Sequence, residues 1–130
     1  MAILNLTQHA ATADQVADGV VEPTDKAAVQ ALLTFEEMPQ YLDVCRRAAA
    51  LAEMAKVSGF TSVMIGGAPF FMAPLETALE SLLITPYYSF TRRESVDVPQ
   101  GDGSVKKTQV FKHVGFVESM IFDPHMLELE

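Results

Sequence analysis

The sequence predicts an α/β fold, and two observations carry that prediction. First, the apolar run Ser62–Ile65 ends in two glycines and is followed by apolar residues at helical spacing, a pattern typical of strand, glycine loop and helix. Second, two segments rich in Tyr, Phe, Val and Thr, 86–98 and 105–118, flank the turn-forming residues 99–104, which indicates a β-hairpin. Alternating strands and helices favour parallel strands joined by right-handed crossovers. We therefore predict a small Rossmann-like sheet of about four strands, mostly parallel, with an antiparallel C-terminal hairpin and helices packed on the sheet.

Length and composition indicate one domain over residues 1–130, with 119–130 as a loose tail. A chain of this length buries about two thirds of the surface that its unfolded form exposes. It contains no apolar run near the roughly 20 residues that cross a bilayer, and its start lacks the basic leader of a signal peptide. Cys45 is the only cysteine and cannot form an internal disulfide. These features predict a cytoplasmic protein without a membrane partner.

The charge distribution limits the partners that the chain can bind. Its formal net charge of −8 argues against binding a long nucleic acid, which requires clustered Lys and Arg. Residues 84–117, however, carry five basic and three acidic side chains, whereas the rest of the chain carries four basic and fourteen acidic ones. A small anion could therefore bind near the basic segment.

The first elements are predicted from short local patterns. The apolar run Ala2–Thr7 is typical of a buried strand. Thr12 lies three residues before Gln15, a capping box that predicts a helix from Ala13, and Gly19 is expected to end that helix.

Two more helices follow. Residues 20–23 are expected to be extended because Pro23 disfavours helix in the residue before it. Thr24 is the predicted cap of a short helix over residues 25–34. A longer helix is predicted from Pro39 to about Val57. Its expected core face consists of Leu42, Cys45, Ala49, Ala52 and Ala55, with Tyr41, Val44, Ala48 and Leu51 beside it.

The glycine loop depends on where the next helix begins. A strand is predicted over residues 60–65. Pro74 deep inside a helix would cost about 3 kcal/mol, so the helix is expected to begin near Met72 and residues 66–71 to form a loop. Leu75, Ala78, Leu79 and Leu82 are expected to face the core.

A ligand site is expected where the carboxyl ends of the parallel strands meet. The first strand would contribute Asn5, Thr7, Gln8 and His9. The second would contribute Gly66 and Gly67, and the third would end near residues 89–94. Together these segments offer hydroxyl groups, backbone N–H groups, an imidazole and guanidinium groups, which suit an anion or a phosphate.

Each of these features also has a purely structural interpretation. Gly66 and Gly67 lack the Lys-Ser/Thr of a phosphate-binding P-loop and can serve only as a tight turn. A histidine at the position of His9 often only bonds to backbone. Arg92 and Arg93 point to opposite faces of a strand, so at most one of them is expected to reach a shared pocket. His113 is expected to be structural, and the scattered histidines do not have metal-ligand spacing.

The opening segment Leu4–Thr12, followed by Gln15, resembles the start of small CRISPR-associated Rossmann-like proteins related to the CARF domain. Some members of those families are ring nucleases that cleave cyclic oligoadenylate second messengers, and similar short proteins occur among phage and prophage genes. The resemblance implies Asn5, Thr7 and His9 as ligand contacts. It also implies cleavage without a metal ion, in which a 2′-hydroxyl is held in line with its phosphate, an arginine stabilises charge and His9 moves a proton.

The leading functional expectation is therefore binding of a nucleotide, a cyclic oligonucleotide or another phosphorylated small molecule, with or without its cleavage. The catalytic candidates are His9 and Arg92. The ligand-binding candidates are Asn5, Thr7, Gln8, Gly66, Gly67 and Arg93. No metal and no cofactor are expected, and a homodimer is the assembly considered.

A non-enzymatic interaction protein is the alternative expectation. A phage or prophage accessory factor that binds a host protein would expose an apolar patch, for which Phe70, Phe71 and Met72 are candidates. A dinucleotide oxidoreductase is disfavoured because the fingerprint Gly-x-Gly-x-x-Gly is absent.

Overall fold

The computed structural model describes residues 1–119 and 123–129. The strands are β1 (Ile3–Leu6), β2 (Val20–Val21), β3 (Ser62–Ile65), β4 (Thr85–Pro99) and β5 (Val105–Glu118). The helices are α1 (Ala13–Ala17), α2 (Lys26–Leu33), α3 (Tyr41–Val57) and α4 (Pro69–Ser81), and a 3-10 helix spans Pro124–Leu129. Within the described ranges no helix combines the length and the apolar character needed to cross a bilayer.

The strands of the described residues form one five-stranded sheet in the order β2-β1-β3-β4-β5. The first four strands of that order are parallel, and β5 pairs antiparallel to β4. The α/β class, the parallel strands and the C-terminal hairpin are thus confirmed. The strand order reverses between β1 and β3, the kind of switch point where open parallel sheets bind ligands.

The predicted number of four strands was wrong because it left out β2, a strand of only two residues. Val20 pairs with Ile3, and the Ile3 amide donates to the Gly19 carbonyl at 2.9 Å. Gly19 has a φ of +105°, and a Cβ there would lie 2.4 Å from the Met1 carbonyl oxygen. Only glycine fits this corner, so Gly19 both ends α1 and starts the edge strand.

The main core lies on one face of the sheet. Leu4 and Leu6 of β1 and the alternate residues Val63 and Ile65 of β3 point to this face. They pack with buried residues of α2, α3 and α4. The hydrophobic core on the opposite face is smaller. There, Ile3, Val20 and Met64 are covered by Ala11 and by Phe116 of β5.

Helices α1 and α2 begin close to their predicted residues. The capping box of α1 is confirmed, since Thr12 and Gln15 bond to each other's backbone amides. The cap of α2 is Asp25 rather than Thr24, because the Asp25 carboxylate accepts from the Ala28 amide at 3.0 Å.

Helix α3 begins two residues later than predicted and is rotated relative to the expected face. Gln40 is its N-cap, and Pro39 lies before the helix. Leu42 and Ala49 are exposed, whereas Cys45 is half-buried. The buried residues of α3 are Val44, Ala48, Leu51, Ala52 and Ala55.

Helix α4 begins at Pro69, so the predicted loop 66–71 is shorter than expected. Pro69 suits the first helical turn, and Pro74 lies inside the helix. Phe71 and Leu75 are completely buried. Burial of each of these side chains stabilises the folded state by about 1.5–3 kcal/mol. Together the two contributions offset the cost of about 3 kcal/mol for a proline inside a helix.

The β4–β5 hairpin extends far beyond the rest of the sheet. Strand β4 pairs with β3 only over Thr85–Tyr87, so residues 88–99 pair with β5 alone. These twelve residues correspond to a length of about 40 Å. We call the distal part, residues 91–112, the hairpin arm. Its side chains are mostly exposed, including Phe111 at 68%.

One extra residue bends the hairpin at its base. Phe90 pairs with Gly115 and Thr91 pairs with His113, so Val114 is a β-bulge. The bulge changes which residues of β5 share a face: Phe116 below it and His113 above it both lie on the side of Ser89. Of the predicted tail, residues 120–122 and 130 lie outside the described ranges.

Candidate ligand-binding crevice

A crevice of about 440 Å³ lies at the carboxyl ends of β1, β3 and the parallel part of β4, across the reversal in strand order. Its lining residues are Thr7, Gln8, His9, Ala10, Thr12, Gln15, Met64, Ile65, Gly66, Gly67, Tyr88 and Ser89. The three strand ends that were expected to meet therefore do so. Asn5 is not part of the lining.

Asn5 organises the loop that follows β1. Its side chain is completely buried, and its amide donates to the His9 carbonyl and to Glu22 Oε1, both at 2.9 Å. Its Oδ1 accepts from the Thr7 amide at 2.9 Å and from the Thr7 hydroxyl at 2.7 Å. Because its hydrogen bonds are made inside the protein, Asn5 shapes the loop that borders the crevice.

Glu22 and Lys26 form hydrogen bonds with the same loop. Lys26 Nζ donates to the carbonyls of Thr7 at 2.7 Å and His9 at 2.9 Å, and it lies 3.3 Å from Glu22 Oε1. Partial burial by itself would raise the pKa of Glu22, but the bond from the Ala11 amide, the charge of Lys26 and the bonds from Lys26 and Asn5 outweigh it. The pKa of Glu22 is therefore lowered, and the carboxylate stays ionised.

Gln8 and His9 differ in their freedom to contact a ligand. The Gln8 amide donates to Thr34 Oγ1 at 3.0 Å and to the Leu33 carbonyl at 3.3 Å, so this side chain ties the loop to the end of α2. His9 is exposed at the crevice. Its carbonyl accepts hydrogen bonds from Asn5 and Lys26, so the backbone of this crevice residue is held in place.

The glycine loop forms the floor between β1 and β4. A Cβ on Gly66 would lie 3.7 Å from the Thr7 methyl carbon, an ordinary contact. Gly67 has a φ of +148°, a conformation that side-chain-bearing residues rarely adopt. Thirteen residues of α4 follow; at its start Pro69 has no N–H and the Phe71 amide donates to the Ala68 carbonyl at 2.9 Å, whereas the Phe70 amide has no partner within the helix.

Tyr88 and Ser89 form the third wall. The Tyr88 hydroxyl donates to Glu76 Oε1 of α4 at 2.5 Å. Burial raises the pKa of Tyr88 strongly, and the hydrogen bond and the charge of Glu76 raise it further. Tyr88 is therefore a neutral, anchored wall of the crevice.

Ser89 belongs to a hydrogen-bonded chain that the sequence did not reveal. Its hydroxyl lies 2.6 Å from His113 Nδ1, and His113 Nε2 lies 3.0 Å from Asp18 Oδ2. Gln15 Nε2 donates to Ser89 Oγ at 3.2 Å. These residues come from α1 and its C-cap, β4 and β5 and share no sequence motif, so only the hairpin pairing and its bulge bring them together.

The predicted arginines lie away from the crevice. Arg92 and Arg93 are exposed on opposite faces of the hairpin arm, and Arg93 stacks on Phe111 with its guanidinium carbon 5.3 Å from the ring centre. Neither lines the crevice. In the described part of the chain, no three His, Cys, Asp or Glu side chains are grouped closely enough to hold a metal ion.

Comparison with known proteins places the chain in a family. No match was found among curated proteins or among solved structures. A family model described as the uncharacterized protein MJ1673 family matches residues 1–117 of the 130. This match includes β1 to β4 and all but the last residue of β5, and with them the whole crevice. The chain therefore belongs to the uncharacterized protein MJ1673 family.

Proposed function

We propose that this Rossmann-like protein binds a nucleotide or another phosphorylated small molecule in the crevice. The observation that supports it best is the convergence of the glycine loop and His9 in one crevice at the reversal in strand order. Sheets of this kind bind ligands at such a point. The order β2-β1-β3-β4 also supports the Rossmann-like assignment.

The glycine loop, which leads into α4, is the phosphate end of the proposed site. Backbone N–H groups at a helix N-terminus and the positive end of the helix dipole favour an anion. Gly66 and Gly67 have no side chains that would keep a phosphate from the backbone. Pro69 contributes no N–H, so the donors come from the residues on either side of it.

The proposed ligand includes cyclic oligoadenylates, on the resemblance of the first fifteen residues to ring nucleases. In a metal-independent cleavage the crevice would hold a 2′-hydroxyl in line with its phosphate, and His9 would move a proton. Arg92 has no part in this step because it lies outside the crevice. The N–H groups of the glycine loop would stabilise the developing negative charge instead.

Titration calorimetry with mononucleotides and cyclic oligoadenylates in EDTA, followed by chromatography of the products, tests the proposal. We expect micromolar binding of at least one of these ligands. Gly66→Val narrows the crevice and should weaken that binding at least tenfold. The matched control is Gly101→Val in the hairpin turn, where an added Cβ meets nothing within 4 Å. Absence of binding to every ligand, or equal affinities in the two variants, would refute the proposal.

Self-association through the hairpin arm is a second candidate function, and it follows the alternative expectation of an interaction protein. A two-stranded hairpin alone is marginally stable in water. The arm nevertheless exposes Phe111 and carries all five basic residues of the segment 84–117. These features favour a partner surface that is both apolar and acidic.

A second copy of the chain offers such a surface. A hollow beside the start of α3 is lined by the exposed side chains of Met38, Tyr41 and Phe70 and by Glu37. Glu36 lines the neighbouring hollow, in which Asp43 pairs with Arg47. Of the three residues first considered for an apolar patch, Phe70 is exposed, Met72 is half-buried and Phe71 is buried. Charge complementarity therefore favours docking of the arm of one copy on this face of another.

Sedimentation of the full chain at low and high salt tests this candidate. We expect a dimer that weakens with salt and is lost in Phe111→Ser. Val57→Ser, which replaces an exposed residue at the end of α3, is the control and should leave the dimer intact. A monomer at every concentration and salt would exclude self-association.

A further inference from the structure

We propose that Ser89 is a nucleophile, activated by His113 and positioned through Asp18, for an uncharged carboxylic ester bound in the crevice. The inference goes beyond the proposed function, since it assigns a covalent reaction and does not require a phosphorylated ligand. It rests on the continuous chain Ser89–His113–Asp18, with distances of 2.6 and 3.0 Å, and on the position of Ser89 in the crevice wall.

The hydrogen bonds assign the proton positions in this chain. In a neutral His113 that faces the Asp18 carboxylate, which only accepts hydrogen bonds, Nε2 carries the ring proton and Nδ1 carries the lone pair. Ser89 therefore donates its hydroxyl proton to His113 Nδ1. This is the arrangement in which a histidine can remove the proton of a serine as the serine attacks.

Gln15 leaves one lone pair of the Ser89 oxygen free. Gln15 Oε1 accepts from the Thr12 amide at 3.0 Å in the capping box of α1, and this bond orients the side-chain amide. Gln15 Nε2 therefore donates to Ser89 Oγ, at 3.2 Å. Because an sp³ oxygen has two lone pairs, one of them remains for attack on a carbonyl carbon.

The β-bulge at Val114 makes the geometry possible. Regular pairing would alternate the faces of β5, but the extra residue places both His113 and Phe116 on the side of Ser89. The two rings pack with their centres 4.7 Å apart. The side chain of His113 is 3% exposed, whereas that of Asp18 is 50% exposed. His113, the proposed base, is thus held rigidly between the crevice and the Asp18 carboxylate at the surface.

The glycine loop lies beside the proposed nucleophile. Gly66 and Gly67 line the same crevice as Ser89. The N–H groups of this loop are the proposed donors to an oxyanion formed at Ser89. Among the described residues, no Lys or Arg lines the crevice. The ester group that Ser89 attacks is therefore proposed to be uncharged.

The reaction balances without a further reagent. Ser89 Oγ bonds to the ester carbon while its proton moves to His113 Nδ1, and the carbonyl oxygen becomes the oxyanion. Collapse of this intermediate breaks the bond to the alcohol oxygen, which leaves with the proton from His113. Water then attacks the acylated Ser89 and gives its proton to His113, which returns it to the departing Ser89 Oγ. The products are one carboxylic acid and one alcohol.

Labelling of the full chain with a fluorophosphonate probe at pH 8, followed by intact-mass and peptide analysis, tests the proposal. We expect one label, on Ser89, and its loss in Ser89→Ala and in His113→Gln. Ser95→Ala is the matched serine control and should be labelled as the wild type is. A folded wild-type chain without a label on Ser89 would overturn the inference. A chain that binds nucleotides but is not labelled would retain the proposed function and lose this one.

The Asp18 variants separate positioning from a merely structural role. Asp18 is half-exposed, so Asp18→Asn should fold with a melting temperature close to that of the wild type. It should nevertheless reduce the labelling rate at least tenfold, because an amide no longer selects the required tautomer. Asp18→Glu keeps the carboxylate and should restore most of the rate. Equal labelling rates in wild type and Asp18→Asn would show that the chain only joins the hairpin to α1.

Discussion

Asn5→Ala is expected to destabilise the protein by about 3 kcal/mol, although Asn5 does not line the crevice. The variant removes two hydrogen bonds from the Asn5 amide and two to its oxygen. Each neutral bond contributes about 1 kcal/mol and the bond to the Glu22 carboxylate about 1.5–3 kcal/mol. Lys26 continues to bond the His9 carbonyl and Glu22. The sum is therefore reduced to about 3 kcal/mol.

Urea unfolding followed by circular dichroism measures this loss, and the free energy of unfolding should fall without a change in slope. Asn5→Asp is the informative companion, because it places a second carboxylate where an amide now donates to Glu22 at 2.9 Å. Adding Glu22→Gln restores a donor to that contact and should recover part of the stability. A loss below about 1 kcal/mol for Asn5→Ala would refute the conclusion that Asn5 organises the crevice loop.

Three further predictions concern local conformation and pH. Leu83 has a φ of +61°, a left-handed conformation that strains a residue with a Cβ, and it is 85% exposed. Leu83→Gly should therefore raise the free energy of unfolding in urea by about 0.5–1 kcal/mol. An unchanged or lower free energy of unfolding would contradict the presence of this strain. Burial and Glu76 raise the pKa of Tyr88, so its contribution to stability is complete below the unfolded pKa of about 10 and is lost as the pH rises further. Ultraviolet titration of the wild type against Tyr88→Phe should show no phenolate from Tyr88 below pH 11, and its appearance there would contradict the buried bond. The pKa of Glu22 is lowered, so its contribution to stability is complete above the unfolded pKa of 4.5 and is lost as the pH falls through the folded pKa. The free energy of unfolding of Glu22→Gln should therefore depend less on pH in this range than that of the wild type. An equal pH dependence in the two proteins would exclude Glu22 as its source.

The site could be predicted as a place but not as a set of interacting side chains. Apolar runs ending in polar or glycine residues located the strand ends, and the rule for parallel sheets brought Thr7, His9 and Gly66 to one crevice. Nothing in the sequence shows that Glu22 and Thr7 bond to the side chain of Asn5, which lies outside the crevice lining. Arg92 was misplaced because the length of the hairpin beyond the sheet carries it away.

The sequence by itself determined the features that depend on neighbouring residues. The capping box of α1, the hairpin turn at 99–104 and the order of strands and helices follow from side-chain to backbone bonds and from apolar periods over a few positions. Such signals do not depend on the rest of the molecule.

Only the tertiary structure decided features that depend on distant partners. Val20 is a strand because Ile3 is its neighbour, and α4 begins before Pro74 because the burial of Phe71 offsets an interior proline. Ser89 and His113 face each other because one bulged residue changes the register of β5. In each case the stabilising free energy comes from contacts between residues far apart in sequence, so no local sequence pattern predicts the feature.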